Sequence, residues 1–165
     1  MPSSTSSPPA RRSAAEQKRL EKSLVEIFEK RIRFNETLGL KVVSLAPTAP
    51  TLRFEMRDDL IGHYGSGRLH GGVISATLDA MGGFAIMVAL AEKHADEVLE
   101  QVTHRFGRVG TIDLRVDYLR QGLGRHFTAS AEVTRLGGRV AATQMRLTND
   151  EGTLIATAAA AYMIS

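Results

Sequence analysis

The hydrophobic positions of this 165-residue chain are densest between Gly71 and Ala91, where the sequence reads GGVISATLDAMGGFAIMVALA. Apolar residues occupy nearly every side of a helix drawn through this run, which is typical of a helix enclosed by protein. The run is also just long enough to cross a membrane. Asp79 inside it, its glycines and the lack of a second such run favour a buried central helix and no membrane span.

Helical spacing places the small and polar residues of this run on one stripe, which comprises Gly72, Ser75, Ala76, Asp79, Gly82 and Gly83. The bulky residues fall elsewhere, so the stripe predicts a groove in which an extended molecule passes close to the helix. Alternatively, the small side chains only allow a strand to pack closely, although that interpretation leaves Asp79 without a partner.

Shorter periodic segments flank the central helix and predict a mainly antiparallel sheet packed on it. Before the helix, the predicted elements are an amphipathic helix over 16–32, a turn-rich link over 34–39, strands at 40–45 and 52–56, and a glycine-rich loop over 61–69. After it come an irregular or partly helical link over 92–109 and strands near 112–118, 126–133, 139–148 and 153–164. The expected fold class is therefore α+β.

Composition narrows the classes of function. The chain has no cysteine, which excludes disulfides, thiolate metal sites and a cysteine nucleophile. Its five histidines follow no regular metal-ligand spacing, so we expect neither a metal nor another cofactor. The net charge of +3 is spread along the chain without stacking aromatic residues beside it, which argues against nucleic acid as a partner. The mild positive charge suits an anionic small molecule.

The first residues differ from the rest in composition. Residues 1–15 are rich in serine and proline and contain no apolar stretch, so we expect a disordered tail ahead of one domain over 16–165. A secretory signal is not expected, and adjacent prolines disfavour the helix that a transit peptide would form. The expected location is the cytoplasm.

Asp79 is the first candidate for chemistry, because a carboxylate in an otherwise apolar segment is costly unless it has a partner or a task. His70, Gly71 and Gly72 open the apolar run. This pairing of one carboxylate with a His-Gly-Gly opening is the most informative feature of the chain.

In this combination the chain resembles the hotdog-fold thioesterases of the phenylacetyl-CoA thioesterase type, and in particular the bacterial medium- and long-chain acyl-CoA thioesterases. The resemblance covers 34–164 and rests on His70-Gly71-Gly72 with Asp79 nine residues after His70, on Gly110-Thr111-Ile112-Asp113 and on the closing strand to Tyr162. It implies an antiparallel sheet curled around the long central helix, homodimers or dimers of dimers with joined sheets, and active sites at the dimer interface.

The resemblance also implies roles for single residues. Asp79 is expected to act as general base on water or as nucleophile, while the Gly71 amide polarises the thioester carbonyl. Thr111 stands where relatives carry serine or threonine near the reacting water, although an ordinary strand threonine is an equal alternative. His70, beside Gly72 in the substrate-binding turn, is expected to shape that turn by bonding the backbone rather than to act as a base.

Relatives often place an asparagine shortly before His-Gly-Gly, whereas this chain reads Gly62-His63-Tyr64-Gly65. His63 is the candidate substitute for that asparagine. For the CoA phosphates, the resemblance implies contacts from Arg120 and from the turn Gly137-Gly138-Arg139, because arginine donates several hydrogen bonds and glycine lets backbone amides approach an anion. The glycine pair alternatively makes only a hairpin turn.

The predicted function is hydrolysis of medium- to long-chain acyl-CoA to a free fatty acid and CoA. The alternative is a non-catalytic protein that binds or senses acyl-CoA on the same fold, but such a protein has no need of a carboxylate beside the thioester. A hotdog dehydratase fits less well, because the chain lacks the His and Pro-Gly signature of those enzymes.

Overall fold

The computed structural model describes residues 11–165. Its helices are α1 (Ala14–Glu26), α2 (Arg33–Leu38), α3 (Gly71–Lys93) and α4 (Leu99–Phe106), with a π-helical turn at Ile27–Arg31 and a 3₁₀ turn at Asp58–Leu60. Its strands are β1 (Lys41–Ser44), β2 (Thr51–Glu55), β3 (Ile61–His63), β4 (Arg68–Leu69), β5 (Gly110–Tyr118), β6 (His126–Leu136), β7 (Val140–Asn149) and β8 (Leu154–Met163).

Six of the strands form one antiparallel sheet in the order β1-β2-β6-β7-β8-β5, and β3 pairs with β4 in a separate hairpin. The inward positions of β6, β7 and β8 alternate with exposed ones and pack against α3. Large side chains from both layers, such as Phe84 on α3 and Phe127 on β6, are completely buried. The predicted α+β class, with a sheet around one long central helix, is confirmed.

α3 is a core helix. Within residues 11–165 it is the one helix long and apolar enough to span a membrane, with a mean hydropathy of 1.8 over its best 18-residue window. However, 61% of that window is buried inside the protein. A helix that is apolar on all sides can be buried away from water in a protein core as well as in lipid. Here the sheet buries it.

The domain begins earlier than the sequence pattern suggested. Ser13 caps α1 and accepts a hydrogen bond from the Glu16 amide at 3.3 Å, while the Glu16 carboxylate accepts one from the Ser13 amide at 3.1 Å. Arg12 donates to the carbonyls of Ala91 and His94 at the end of α3. The boundary predicted at residue 16 is therefore late, and the disorder predicted for 1–10 lies outside the described residues.

The turn-rich link predicted over 34–39 is instead mostly the helix α2. Asn35 is buried there, and its side-chain amide donates to the Phe28 carbonyl of the π-helical turn at 3.1 Å. This bond ties α2 back onto the preceding helix. Gly39 ends α2 at a φ of 73°, a left-handed conformation that favours glycine. The glycine correctly marked a boundary, but it is the end of a helix.

Thr77 places an unsatisfied polar group in the core. Its hydroxyl on α3 is fully buried and finds no hydrogen-bond partner among residues 11–165. An unsatisfied buried hydroxyl costs about 1–3 kcal/mol. We therefore expect Thr77→Val to raise the melting temperature by roughly 2–4 °C for each kcal/mol recovered. Calorimetry beside Thr77→Ser, which keeps the hydroxyl and loses the methyl group, provides the check, and a Val variant no more stable than wild type would contradict the expectation.

Candidate active site

The site begins at the N-terminus of α3, where His70 is the capping residue. His70 has extended backbone angles, φ −65° and ψ 138°, and its Nδ1 accepts a hydrogen bond from the Gly72 amide at 2.8 Å. The ring therefore bonds the backbone of the turn that it precedes. Between the two, the Gly71 amide makes no hydrogen bond to any residue of 11–165. It is available to an incoming oxygen atom.

This end of α3 is attached to the last residue of β5. The Tyr118 hydroxyl donates to the Gly71 carbonyl at 3.1 Å. A Cβ atom added at Gly71 would lie 3.5 Å from the Tyr118 ring, which is ordinary van der Waals contact. The free amide of Gly71 thus lies beside the C-terminal end of β5.

Asp79 lies two turns further along α3 and is held by two hydroxyl groups. Thr111 donates to Asp79 Oδ1 at 2.8 Å, and the Tyr162 hydroxyl lies 3.2 Å from the same oxygen and 2.9 Å from the Asp79 main-chain carbonyl. The second oxygen, Oδ2, makes no hydrogen bond to any side chain or amide in the described part of the chain. It remains free to accept a proton from water or to attack a carbonyl carbon.

A β-bulge brings Thr111 to Asp79. The register between β5 and β8 shifts between Thr111 and Asp113, which makes Ile112 the extra residue, and its side chain is 58% exposed. The bulge puts Thr111 on the inner face together with Leu114, although the two are three residues apart. Bulges often re-aim a side chain beside an active site, and this one converts a strand threonine into a hydrogen-bond donor to Asp79.

The pattern of residues did not single out Tyr162, which is 2% exposed at the end of β8. Gly82 gives it room, because a Cβ atom at that position would lie 2.2 Å from the Tyr162 hydroxyl oxygen. Burial, and then the neighbouring Asp79 carboxylate, raise the pKa of Tyr162 well above its usual value, so the hydroxyl stays protonated and donates. A lone tyrosine in the alanine-rich closing strand was the signal that could have identified it.

A cavity of about 280 Å³ opens beside Asp79 between α3 and the N-terminal helices. Its remaining walls are mostly apolar and comprise Phe28, Ile32, Phe34, Asn35, Ala76, Ala80, Gly83, Met87, Val109, Gly110, Thr111 and Tyr162. A Cβ atom at Gly83 would meet nothing within 4 Å. The stripe of small residues therefore has two roles. Gly82 lets a strand side chain pack closely, whereas Gly83 borders open space.

Asp79 and Gly71 of one chain cannot act on the same carbonyl group. Eight residues of α-helix rise about 12 Å. A base and an oxyanion donor must each lie about 3 Å from the groups they serve, which places them much closer to each other. The two halves of the predicted catalytic pair are present, but a single chain holds them apart.

His63 lies on the Gly71 side of this gap. Gly62 packs so tightly on His70 that an added Cβ atom would lie 2.4 Å from the His70 Cα, which fixes the β3–β4 hairpin beside the helix N-terminus. His63 is exposed, its Nδ1 is 3.2 Å from Ser66 Oγ, and its ring stacks on Tyr64. The structure does not bring His63 to Asp79 of the same chain. No three His, Asp or Glu side chains of residues 11–165 cluster as metal ligands would.

The residues expected to meet CoA phosphates lie at opposite ends of the sheet. Arg120 follows β5 and donates to the Leu154 carbonyl at 3.0 Å. Arg139 precedes β7 at the end that holds Thr111, since Thr111, Tyr162 and Ala141 are paired across three strands. The seven residues from Thr111 to Tyr118 separate these ends by roughly 20 Å. One chain therefore does not bring the two arginines together.

The hairpin interpretation of the glycine pair has direct support. The Gly137 amide donates to the Val140 carbonyl at 3.0 Å, and a Cβ atom at Gly137 would lie 2.6 Å from that oxygen. The turn itself thus requires glycine at this position. Gly138 has no atom within 4 Å of an added Cβ, so its backbone is open to solvent or to a ligand.

Known proteins share both the sequence and the architecture. The sequence model of the Thioesterase superfamily matches residues 66–156. The medium/long-chain acyl-CoA thioesterase YigI of Escherichia coli (strain K12) is 36% identical over 139 residues, which are 84% of this chain and 90% of that protein. A Shewanella oneidensis structure related to the thioesterase superfamily has a TM-score of 0.86 at 34% identity and covers 93% of this chain and 100% of its own.

A second solved structure agrees with the first. It comes from Syntrophus aciditrophicus, is described as a candidate thioesterase, and has a TM-score of 0.82 at 38% identity. The match covers 92% of this chain and 100% of that one. The likeness thus extends over nearly the whole chain.

Proposed function

Since the chain belongs to the hotdog-fold Thioesterase superfamily and is a thioester hydrolase, we propose that it hydrolyses medium- to long-chain acyl-CoA to a free fatty acid and CoA. One observation carries the proposal above all others. Asp79 is held by two hydroxyl groups at the mouth of an apolar cavity, with one carboxylate oxygen left free. A thioester attached to an acyl chain matches that combination of a base and an apolar recess.

The 12 Å between Gly71 and Asp79 on one helix implies that two protomers build each site. Gly71 is bound to Tyr118 at one end of β5, and Asp79 is bound to Thr111 at the other end. If two copies of β5 pair in antiparallel fashion about their middle, the Gly71 end of one copy lies opposite the Asp79 end of the other copy. Gly71 of one protomer then lies beside Asp79 of the second, and the dimer holds two equivalent sites.

β5 is suited to such pairing. It has nine residues and lies at the edge of the sheet, where no other strand of residues 11–165 covers its free side. A long, uncovered edge strand pairs readily with another chain. The opposite edge, β1, has only four residues and an irregular register. We therefore place the dimer interface at β5, while further pairing of dimers remains a prediction from the resemblance.

In the proposed reaction, Asp79 Oδ2 takes a proton from a water molecule while the oxygen of that water attacks the thioester carbonyl carbon. The carbonyl oxygen becomes an oxyanion and accepts a hydrogen bond from Gly71 of the second protomer, at the positive end of α3. The carbon–sulfur bond then breaks, and protonated Asp79 returns the proton to the CoA sulfur. Direct attack by Asp79 as nucleophile remains the alternative, because its free oxygen suits either role.

Antiparallel pairing of the two β5 strands would also bring the predicted CoA contacts together. Arg120 lies at the Gly71 end of its chain and Arg139 at the Asp79 end, so each composite site receives one arginine from each protomer. His63 accompanies Gly71 and there faces the second protomer's Asp79, where it can take the place of the usual asparagine. These assignments, with Gly137 and Gly138 as backbone donors to phosphate, are part of the proposal. So is the cytoplasmic location.

We assign the acyl chain to the cavity beside Asp79, and Gly83 provides the test. Gly83→Leu places a side chain in open space, so it should shorten the accepted acyl chain by roughly three to four carbons. Each methylene that loses its apolar surroundings costs about 0.8 kcal/mol, or about fourfold in kcat/KM. Gly83→Ala should produce a smaller shift in the same direction. Unchanged chain-length preference in the Leu variant would place the acyl chain elsewhere.

The function itself is tested by measuring CoA release from a panel of acyl-CoA substrates of increasing chain length. Turnover that rises from short to medium and long chains supports the proposal. A protein that binds the same panel, as measured by calorimetry, without releasing CoA would be the non-catalytic binder instead. Absence of both binding and turnover would refute acyl-CoA as the substrate.

A further inference from the structure

Tyr162 contacts Asp79 twice, yet the reaction proposed above gives it no role. We propose that Tyr162 is a positioning residue, which holds the Asp79 carboxylate so that Oδ2 points toward the substrate. The inference rests on the proposed function, because it concerns the base of that reaction.

The geometry argues for positioning. The Tyr162 hydroxyl lies between the Asp79 main-chain carbonyl, at 2.9 Å, and Oδ1, at 3.2 Å. A group that touches both the backbone and the side chain of one residue restricts rotation of that side chain. Thr111 holds the same Oδ1 from β5, whereas Tyr162 approaches from β8. Hydroxyl groups from two strands thus contact Oδ1, whereas Oδ2 has no hydrogen-bond partner among residues 11–165.

The surrounding packing leaves Tyr162 little freedom to move. Its hydroxyl lies against Gly82, where any side chain would overlap it, and beside the buried Thr143 hydroxyl. Thr143 is itself engaged with the Met145 sulfur at 2.9 Å. Glycine is unfavourable inside a helix, but a Cβ atom at position 82 would overlap the Tyr162 hydroxyl and lie 3.0 Å from Thr143 Oγ1, which accounts for glycine here.

The electrostatics argue that Tyr162 acts as a donor at all working pH values. Among the groups that line the cavity, from the N-terminal helices, α3, β5 and β8, Asp79 and Tyr162 are the two that titrate. Burial and the Asp79 charge hold the pKa of Tyr162 above its usual value. The protonated hydroxyl is therefore a hydrogen-bond donor beside Asp79 throughout the working pH range.

Tyr162→Phe removes the hydroxyl and keeps the ring. We expect kcat to fall about 10- to 100-fold with little change in KM, because a misdirected base loses rate rather than substrate affinity. Gly82→Ala should lower kcat in the same way and again leave KM nearly unchanged, because its Cβ atom would displace the Tyr162 hydroxyl.

Thr77→Val is the matched control, because it deletes a buried hydroxyl from α3, the helix that carries Asp79, and should leave kcat and KM at their wild-type values. Crystal structures of the variants provide a readout that does not depend on turnover, since the Asp79 side chain should leave its wild-type rotamer in Tyr162→Phe and Gly82→Ala. An unchanged Asp79 rotamer in both variants would overturn the inference and leave Tyr162 a packing residue. A wild-type enzyme inactive on every acyl-CoA would refute the proposed function, whereas the comparison of rotamers would still decide the role of Tyr162.

Discussion

Replacing Asp79 by asparagine should lower kcat roughly 10³- to 10⁴-fold, because it removes the base and keeps the shape of the side chain. Asparagine Oδ1 still accepts the hydrogen bond from Thr111, so the bulge and the end of β8 should stay in place. We expect the melting temperature to change little and the dimer to persist in gel filtration. The measurement is CoA release under saturating substrate, followed until a residual rate is resolved.

The control for this variant is Glu100→Gln, which removes one negative charge from the exposed surface of α4. It should keep wild-type turnover, which separates loss of the base from a general change in charge. Near-normal rates for Asp79→Asn would eliminate Asp79 as base or nucleophile. If that variant instead unfolds at a much lower temperature, the two hydroxyl contacts of Asp79 are mainly structural.

Periodicity explains why the fold could be predicted. The central helix and the strands of the second half have long, regular patterns, and the structure places them within a few residues of the expected bounds. The prediction of a turn-rich link over 34–39 was wrong because glycine and asparagine are common in turns. In fact Asn35 is buried and bonds to a carbonyl of the π-helical turn. Tertiary contacts of this kind leave no periodic signal.

The site was predictable to a different degree. Asp79 stood out because one carboxylate in an apolar run is conspicuous, and the structure adds Tyr162 to Thr111, which the resemblance had already placed near it. Tyr162 was missed, because its match with Gly82 joins segments eighty residues apart. The separation of Gly71 from Asp79 follows from helix geometry alone. Pairing of two protomers, which would bring the two residues together, could be inferred only from the structure. There, one end of β5 is hydrogen-bonded to Gly71 and the other end to Asp79.

Replacing Gly71 by proline should lower kcat/KM about 10²- to 10³-fold, because it deletes the oxyanion donor alone. Proline is well tolerated at the first position of a helix. The preceding residue, His70, already has the extended conformation that a following proline demands. Gly71→Ala is the matched control, since it keeps the amide and adds a methyl group at ordinary contact distance from Tyr118. Equal activity of the proline and alanine variants would show that the amide of Gly71 has no part in catalysis.

The two inactive variants together test whether each site is shared between protomers. In a mixed dimer of Asp79→Asn and Gly71→Pro chains, one site receives Gly71 from the first chain and Asp79 from the second, and the other site receives both substitutions. Refolding or exchanging an equal mixture should form heterodimers in about half of the molecules and restore about a quarter of wild-type activity. Sites built within single chains would regain nothing on mixing. Recovery that disappears when subunit exchange is prevented would therefore establish that the thioester is held between Gly71 of one protomer and Asp79 of the other.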